Sequence, residues 1–584
     1  MPDILPVSMQ DFMHGRQPDL RAVKKVIAIQ NGRARPSGRA IFMITNNHSR
    51  RSNMLHLYKN NGYNIVLDVN SSSVHIVDDV VYDVLELMCE KESPKQGGKG
   101  SDVAADSRYD RQANDRYSDE ELHRISAIIS KKYPSENLKD EDFREIFDDL
   151  KSLEDDGTLF TTDDYLVEPG FCDQDDSCSS DGCRADDEAG SSGVTSHPTA
   201  QSFGEADPAS LETRVIDFKK RQTVVKALCL HIAHACNLKC EYCFAGEGEY
   251  HGDRALMSLE VGKQALDFLV ANSGNRHNLE VDFFGGEPLL NFDVVKELVR
   301  YGRSLEEKHD KHFRFTLTTN GVLLDDDVME FANREMDNVV LSVDGRKEIH
   351  DRMRPFRDGS GSYDKIIDKF KKLADSRNQE RYYVRGTFTH YNTDFVKDVL
   401  SLADAGFKQI SVEPVVAGPD EPYAITEEDL PVICEGYDEL AKEMLKRDKE
   451  GNGFTFFHYM IDLTGGPCVY KRLAGCGSGT EYLAVTPWGD LYPCHQFVGE
   501  EKFCLGNVKE GIKNTELVNE FKLCNVYAKP ECRDCFAKFY CSGGCAANAY
   551  HTHGDILKPY EIGCVLQRKR VECAIMIKAA SCDE

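Results

Sequence analysis

Six repeats of an apolar stretch followed by an amphipathic one fill residues 222–446, and they restrict the possible folds more than any other feature of the chain. The apolar stretches have the length of buried strands, and the stretches between them have helical periodicity. Strands that alternate with helices predict a parallel sheet with right-handed crossovers. A closed barrel of this type needs eight strands, so the pattern predicts an α/β fold with a partial (β/α)6 barrel, open on one side. The predicted strands are Val224–Ile232, Leu279–Phe284, Phe313–Thr319, Asn338–Val343, Tyr382–Thr389 and Gln409–Pro414.

Three cysteines follow the first predicted strand at a CxxxCxxC spacing: Cys236, Cys240 and Cys243. Three thiolates can hold three irons of a [4Fe–4S] cube and leave the fourth iron open, whereas electron-transfer clusters mostly use four thiolates. A zinc site is the alternative, but zinc normally takes four ligands, often from two CxxC-type pairs. The motif therefore favours a cluster with catalytic chemistry at its open iron.

Glycine and polar residues follow the other predicted strands, at the edge of a parallel sheet where functional groups collect. After the second strand, Gly285 and Gly286 permit close approach of the backbone to a ligand, and Glu287 can accept hydrogen bonds from an ammonium group. Each motif is weak alone, but together and in order they predict a ligand site. Its other candidates are Asn320, then Ser342 and Asp344 for ribose hydroxyls, and Arg354 and Arg385 for a carboxylate bound in bidentate fashion.

A second group of cysteines lies within residues 466–573. The apolar content between these cysteines is too thin for a large core, so we predict a domain organised by metal. Paired zinc knuckles are the alternative to iron–sulfur clusters here. The spaced cysteines are Cys476 and Cys494, then Cys532, Cys535, Cys541 and Cys545 in the pattern CxxCx5CxxxC, and finally Cys564.

The residues before the barrel pattern differ in composition from the rest of the chain. Residues 1–53 are basic and are predicted to be an upstream translation artefact or a disordered extension, with a basic arm as the alternative. Glycine, serine and charged residues predict a flexible insertion near 91–117 and a disordered linker at 169–215. The cysteines of the linker, Cys172, Cys178 and Cys183, are irregularly spaced and are predicted to be unpaired surface cysteines, with a metal site as the alternative.

Residues 54–168 predict a small unit of strands and helices. A hairpin turns at Asn61-Gly62, helical patterns come after it, and Thr158–Phe160 is predicted to be a wing strand. Together they resemble the winged-helix peptide-recognition element of peptide-modifying enzymes, in which a leader peptide adds a strand to a sheet edge. A nucleic-acid-binding winged helix is the alternative, but the net charge of −28 argues against it, since nucleic acids and anionic membranes attract basic surfaces.

Composition restricts where the protein works. The chain has no apolar run of the length that a transmembrane helix needs, and its start lacks the apolar region of a signal peptide. Its 21 cysteines cluster in metal-type spacings, which favours a reducing compartment over a disulfide-forming one. We therefore expect a cytoplasmic protein with neither a membrane nor a nucleic acid as partner.

In their order along the chain, these motifs resemble those of the radical S-adenosylmethionine (SAM) enzymes that carry a SPASM domain. The resemblance implies a radical SAM core at 222–450 and a SPASM domain at 466–573. It implies SAM and three [4Fe–4S] clusters as cofactors, with the amino and carboxylate groups of SAM on the open iron of the first. Reductive cleavage of SAM would then give a radical that abstracts hydrogen from a substrate.

The same resemblance implies which cysteines hold the two further clusters. Cys468 is a candidate fourth ligand of the inner one; without it, an open iron there could bind a substrate thiolate. The implied ligands are Cys532, Cys535, Cys541 and Cys564 for the outer cluster, and Cys476, Cys494 and Cys545 for the inner one.

Four segments resemble the maturases of six-cysteine (SCIFF) peptides most closely: Leu57–Val69, Val74–Asp83, Cys476–Phe497 and Cys541–Tyr550. Members of that family install thioether crosslinks from cysteine sulfur to an α-carbon of a ribosomal peptide. The resemblance implies two partners: a cysteine-rich precursor whose leader binds the N-terminal unit, and an electron donor such as flavodoxin or ferredoxin. Residues 1–53 and 91–210 depart from it.

Two other functions stay open. One is a different SPASM-type maturase, such as an anaerobic sulfatase-maturing enzyme. The other is an iron–sulfur electron carrier, which would need neither the glycine-rich loop nor a peptide-binding unit. The sequence also leaves the general base open, with Asp490 and His495 as candidates close to Cys494.

Overall fold

A computed structural model describes residues 55–90, 116–161, 223–246, 248–250, 252–461, 463 and 473–582. Within these residues the chain forms a three-stranded antiparallel sheet with its own helices and a larger mixed sheet. Residues 1–53, the predicted linker, almost all of the predicted insertion and Cys468 lie outside the described residues, so the predictions for them stay predictions.

The N-terminal unit is a three-stranded sheet followed by three helices. Asn61 and Gly62, with φ of 48° and 92°, form the tight turn that the sequence predicts between the first two strands. Asp78 caps the first helix, since its Oδ1 accepts a hydrogen bond from the amide of Val81 at 2.8 Å. The elements are β1 (Leu55–Asn60), β2 (Tyr63–Asp68), β3 (Ser73–Val77), α1 (Asp79–Glu90), α2 (Asp119–Lys132) and α3 (Asp140–Asp155).

The predicted wing strand is wrong, because Thr158–Phe160 forms no strand in the structure. Gly157 and Phe160 have φ of 68° and 53°, which turns the backbone away from an extended path. The segment instead packs beside β3, where His75 Nε2 lies 2.8 Å from the carbonyl oxygen of Thr158. The winged-helix assignment of the unit stays a prediction.

Six parallel strands form the centre of the larger sheet and lie side by side in chain order, as the six repeats predict. A short strand, β5 (Ala255–Leu256), pairs antiparallel with the first of them. In the described part of the chain the sheet stays open, with β11 (Thr455–Phe456) at one edge, which confirms the open barrel. The six strands are β4 (Ala227–His234), β6 (Asn278–Gly285), β7 (His312–Thr319), β8 (Asn338–Ser342), β9 (Tyr382–Phe388) and β10 (Gln409–Pro414).

Amphipathic helices connect these strands and cover the sheet. Side-chain caps start two of them: Ser258 Oγ accepts from the amide of Val261, and Asp325 accepts from that of Val328. A short helix after β8 was not predicted. The helices are α4 (Leu259–Asn272), α5 (Phe292–His309), α6 (Asp326–Glu335), the short α7 (Lys347–Met353), α8 (Tyr363–Ser376), α9 (Val396–Asp404) and α10 (Leu430–Lys449).

The C-terminal region extends the same sheet, although its sequence predicted a separate domain organised by metal. β12 (Tyr482–Val485) pairs in parallel with β4, and β13 (Asp490–Tyr492), β14 (Gly506–Asn507) and β15 (Gly511–Ile512) continue from it. Their few apolar side chains join the core of the barrel. The helices of this region are α11 (Thr515–Lys522), α12 (Pro530–Arg533), α13 (Lys538–Cys541), α14 (Ala546–His553) and α15 (Glu561–Cys582).

The long helix α15 also holds the N-terminal unit. His56 Nε2 lies 2.9 Å from Glu572 Oε1, and the Tyr58 hydroxyl donates to the carbonyl oxygen of Glu572 at 3.1 Å. The ring of His56 stacks on Phe536, with centroids 3.5 Å apart. β1 is thereby fixed beside the C-terminal cysteines. None of the described helices is both long enough and apolar enough to cross a membrane.

Candidate active site

A cavity of about 190 Å³ lies at the carboxyl ends of the central strands. All but one of the barrel residues predicted for the site line it, and two residues that follow β13 close it from the C-terminal side. The predicted residues on its wall are Cys236, Cys240, Cys243, Gly285, Gly286, Glu287, Asn320, Ser342, Arg354 and Arg385, and the C-terminal ones are His495 and Gln496.

The three-cysteine loop is held in place by backbone hydrogen bonds to the last residue of α7 and to the segment after it. The amide of Lys239 donates to the carbonyl of Pro355, and the amide of Glu241 to that of Met353, both at 2.9 Å. The sulfur of Cys236 accepts from the amide of Leu238 at 3.5 Å. The thiols are thus positioned before any ligand binds.

The burial and shared position of these thiols bear on whether they can hold metal. Burial, together with the Glu287 carboxylate, raises the pKa of Cys236 to about 11, so a bound cation has to stabilise the thiolate form that ligates metal. Among the described residues no three cysteine, histidine or acidic side chains converge on one ion. The three cysteines instead line one cavity, which suits ligation of separate irons.

The loop Gly285-Gly286-Glu287-Pro288 (the GGEP loop) packs closely against the start of the cysteine loop because its first two residues are glycines. A Cβ on Gly286 would lie 2.1 Å from the carbonyl oxygen of Ala235, and one on Gly285, at φ +125°, would lie 2.4 Å from that of Ala233. The amide of Gly286 donates to the Ala233 carbonyl at 2.7 Å. The sequence predicted close approach to a ligand, but the demand for glycine comes first from this contact between protein loops.

Glu287 joins the loops after β6 and β7. Its buried carboxylate accepts from the hydroxyl of Thr319 and the amide of Asn320, both at 2.8 Å, and from the amide of Leu289 at 3.1 Å. Burial raises its pKa to about 7 against the opposing effect of these hydrogen bonds. Before it meets an ammonium group, this carboxylate is already bound by protein donors.

Asp344 is the predicted barrel residue that the structure does not bring to the cavity wall. Its side chain is fully buried and accepts from Arg354 Nε at 3.1 Å, the Tyr242 hydroxyl at 2.8 Å and the amide of Thr387 at 2.9 Å. A buried carboxylate needs such partners, and ribose hydroxyls would have to displace them. Asp344 therefore orients Arg354, which does line the cavity.

Arg385 faces the cavity with part of its guanidinium engaged. Its Nε and Nη2 lie 2.9 Å and 3.0 Å from the two carboxylate oxygens of Glu413, a bidentate pair across β9 and β10. A ligand carboxylate at Arg385 would therefore compete with Glu413. This partner was not predicted, since its position depends on the pairing of the two strands.

The assignment of the C-terminal cysteines to two clusters stays a prediction, and their electrostatic neighbours are the observations that bear on it. Burial raises the pKa of Cys532 to about 12; the charge of Lys529 opposes this rise, and those of Cys541, Cys564 and Cys535 add to it. For Cys494, burial raises the pKa well above its usual range, with Cys545 and then Cys476 as the neighbouring charges.

The sequence missed several residues of the site. Glu413 is one, since it lines the cavity. Gln496 is another, because the pairing of β12 with β4 brings it to the cavity. Of the two candidate bases, His495 lines the cavity, whereas Asp490 accepts from Asn507 Nδ2 at 2.9 Å and is not among the lining residues.

Comparison with known proteins places these features in a family context. Residues 230–414 match the sequence model of the radical SAM superfamily, and residues 476–536 match that of the SPASM iron–sulfur cluster-binding domain. A solved structure of histidine-tagged anSMEcpe with bound AdoMet has a TM-score of 0.52 at 21% identity, over 61% of this chain and 95% of that one. That likeness supports the fold.

Curated relatives of known activity share about half of the chain. The cysteine-type anaerobic sulfatase-maturating enzyme of Clostridium novyi is 25% identical over 334 residues, which is 54% of this chain and 85% of that protein. The radical SAM cyclopropyl synthase TigE of Paramaledivibacter caminithermalis is 22% identical over 57% of this chain and 70% of its own. The subtilosin biosynthesis protein AlbA of Bacillus subtilis is 25% identical over 55% and 68%. The chain thus carries a radical SAM domain followed by a SPASM domain and is homologous to the anaerobic sulfatase-maturating enzymes, AlbA and TigE.

Proposed function

We propose that this protein is a radical SAM peptide maturase that installs thioether crosslinks from cysteine sulfur to an α-carbon in a cysteine-rich ribosomal peptide of the SCIFF class. The observation that carries the proposal is the shared cavity. The three-cysteine loop lines it on one side, and the residues directly after Cys494 line it on the other. A peptide in this cavity would contact the three-cysteine loop and the two residues that follow Cys494.

In this proposal Cys236, Cys240 and Cys243 hold the catalytic [4Fe–4S] cluster. Bound there, the cluster and SAM supply the radical chemistry that removes a substrate hydrogen. Arg354, oriented by Asp344, offers a charge for the SAM carboxylate. The glycine loop and Ser342 form the rest of the wall, so the protein holds SAM and excludes water.

The C-terminal cysteines supply the thioether half of the proposal. Cys476, Cys494 and Cys545 would hold the inner auxiliary cluster, and Cys532, Cys535, Cys541 and Cys564 the outer one. A thiol that binds a metal loses its proton, so a substrate cysteine at the inner set would be a nucleophile next to the cavity. Cys494 is buried and directly precedes the wall residue His495.

The N-terminal unit is the proposed leader-binding site. A three-stranded antiparallel sheet can accept a further peptide strand at an edge. Contacts of β1 with α15 fix that sheet on the C-terminal region. A leader bound there would keep the core of the precursor close to the cavity, with flavodoxin or ferredoxin as the proposed electron donor.

Anaerobic turnover tests the function directly. The clusters are reconstituted, the protein is reduced with dithionite, and SAM is added with a small cysteine-rich peptide encoded beside the gene. We expect deoxyadenosine together with a peptide lighter by about 2 Da per crosslink, since one hydrogen leaves sulfur and one leaves carbon. Tandem mass spectrometry places the new bond. Deoxyadenosine with an unchanged peptide would reject this substrate, and no deoxyadenosine from fully loaded protein would reject the enzyme class.

A different maturase activity is the second candidate, favoured by the sulfatase-maturating relatives. The same samples distinguish it. An aldehyde in place of a cysteine, detected by reaction with a hydrazine probe, would indicate formylglycine formation. A new sulfur–carbon bond between two residues would indicate the thioether activity.

A further inference from the structure

Two neighbouring polar side chains on the C-terminal wall of the cavity have hydrogen-bonding atoms without a protein partner. His495 is 4% exposed and Gln496 is 8% exposed. Within the described structure, His495 Nε2 and Gln496 Oε1 are buried and make no hydrogen bond. Leaving such atoms unpaired costs free energy, so their position on the wall of a cavity indicates that a ligand satisfies them.

The imidazole of His495 is held in an orientation that leaves its Nε2 without a protein partner. Its Nδ1 lies 3.3 Å from the Tyr482 hydroxyl, and its ring packs against Phe284 and Phe244 with centroids 5.0 Å and 5.3 Å apart. Three neighbours from two strands and the cysteine loop thus hold the ring. It is a prepared site rather than a surface side chain that can turn to water.

The chemistry of the pair suits a peptide group. A glutamine carbonyl accepts a hydrogen bond, and an imidazole nitrogen donates or accepts one according to its tautomer. Two such groups on successive residues can bind the N–H and C=O of a main-chain amide. Cys494 precedes the pair, and the His495 ring packs on Phe244, which follows Cys243, so an amide held here lies beside segments that carry cysteines on both walls of the cavity.

We propose that His495 and Gln496 form a subsite that binds the substrate peptide by a main-chain amide next to its reacting residue. The subsite rests on the proposed function. It adds to that function an account of how a peptide is aligned between SAM and the inner cysteines. It makes these two residues positioning residues for substrate, and it recognises backbone rather than one side chain.

Two substitutions remove the hydrogen bonds and keep the volume: His495→Phe and Gln496→Met. His551→Phe is the matched control, because His551 Nε2 is also buried without a partner but the residue does not line the cavity. Each protein is purified with its clusters, and iron content and electron paramagnetic resonance spectra are recorded. Then KM for SAM, KM for the peptide, and the ratio of crosslinked peptide to deoxyadenosine are measured.

We expect both cavity variants to keep their iron, their spectra and their KM for SAM. The KM for the peptide should rise about tenfold, the effect of one lost hydrogen bond, and more deoxyadenosine should form per crosslink. His495→Gln, which restores a polar group, should recover part of the coupling. His551→Phe should behave as the wild type.

Three results would overturn the subsite. In the first, both variants keep the wild-type KM for the peptide and the wild-type ratio of crosslinked peptide to deoxyadenosine. In the second, only the KM for SAM changes. In the third, loss of iron is the sole defect. If the wild type binds the peptide but leaves it unmodified, the proposed function is rejected while the subsite is not. The subsite is then tested by the dissociation constant of the peptide, measured for the wild type and the variants. An equal dissociation constant in wild type and variants would overturn the subsite as well.

Discussion

The barrel wall and the C-terminal wall of the cavity differ in how their polar groups are satisfied. On the barrel wall Glu287 has three protein donors, and Arg385 is paired with Glu413. On the C-terminal wall His495 and Gln496 each keep a buried atom without a partner. Glu287, Arg385 and their partners thus form a barrel frame that is paired before a ligand binds, whereas the subsite on the other wall is completed by a ligand that enters the cavity.

This difference indicates where the cofactor and the substrate peptide are each expected to bind. A frame of paired charges and hydrogen bonds holds a constant cofactor in one geometry, because its members cannot shift without losing partners. A wall with unpaired groups gains most when a ligand supplies the missing hydrogen bonds. We therefore expect substitutions in the barrel to affect cluster and fold, and those on the C-terminal wall to affect the peptide.

The largest effect is expected at the cysteine loop. Cys240→Ala removes one of the three proposed ligands, and deoxyadenosine formation should fall by a factor on the order of a thousand or more. Iron content should drop by the amount held in one cluster. The control is Cys434→Ala, a buried thiol on α10 that should keep both. Normal SAM cleavage in Cys240→Ala would contradict the assignment of the loop.

Asp344→Asn tests whether the barrel frame depends on its central carboxylate. The substitution leaves the guanidinium of Arg354, 13% exposed at its side chain, without its charge partner. Breaking a buried pair in this way costs about 3–5 kcal/mol, and the free energy of unfolding, measured by chemical denaturation, should fall by that amount.

The exposed pair of Lys347 and Asp364 provides the control for this measurement. Asp364→Asn should change the free energy of unfolding by less than about 1 kcal/mol, because solvent screens a surface pair. Equal losses in Asp344→Asn and Asp364→Asn would show that the barrel frame does not depend on the buried pair.

Gly286→Ala tests the contact between the two loops of the frame. Its Cβ would lie 2.1 Å from the Ala235 carbonyl oxygen, so the loops have to separate, at a cost of about 1–3 kcal/mol. Thermal denaturation should detect this, and cluster reconstitution should become less complete. Gly418→Ala, where a Cβ meets nothing within 4 Å, is the control. A stable and fully loaded Gly286→Ala protein would mean that the loops tolerate separation.

The barrel half of the site could be predicted from sequence because it depends on local patterns. The apolar run Gln409–Pro414 is β10 residue for residue, and polar residues at strand ends meet at one edge of any parallel sheet. Asp344 lies at the predicted edge, but its side chain is buried behind the cavity wall and does not line the cavity. Its partners, Tyr242 and Thr387, come from distant parts of the chain, and no local pattern reveals them.

The C-terminal half could be predicted only in its cysteine spacing. The parallel pairing of β12 with β4 joins segments far apart in sequence, and neither strand carries a sign of its partner. Without that pairing, His495 is one candidate base among others and Gln496 has no visible role. The predicted strand at Thr158–Phe160 is wrong because a local pattern was misleading. Its apolar residues are typical of a strand, but Gly157 and Phe160 have positive φ and bend the backbone.

The smallest effect is expected from Asn320→Ala, which removes the side-chain hydrogen bonds of one residue beside the cysteine loop and leaves the ligands intact. Asn320 Nδ2 lies 3.6 Å from the Cys236 sulfur and 2.8 Å from Asn237 Oδ1. Hydrogen bonds to sulfur stabilise the reduced, more negative state of a cluster and help to set its potential. We therefore expect a slightly lower reduction potential in a redox titration followed by electron paramagnetic resonance, with iron content unchanged. Asn333→Ala, which breaks an exposed contact with Ser376, should leave the potential as it is. An unchanged reduction potential in Asn320→Ala would mean that the Asn320 amide only holds Asn237 in place. In that case Asn320 would fix the position of the cysteine loop without tuning the reduction potential of its cluster.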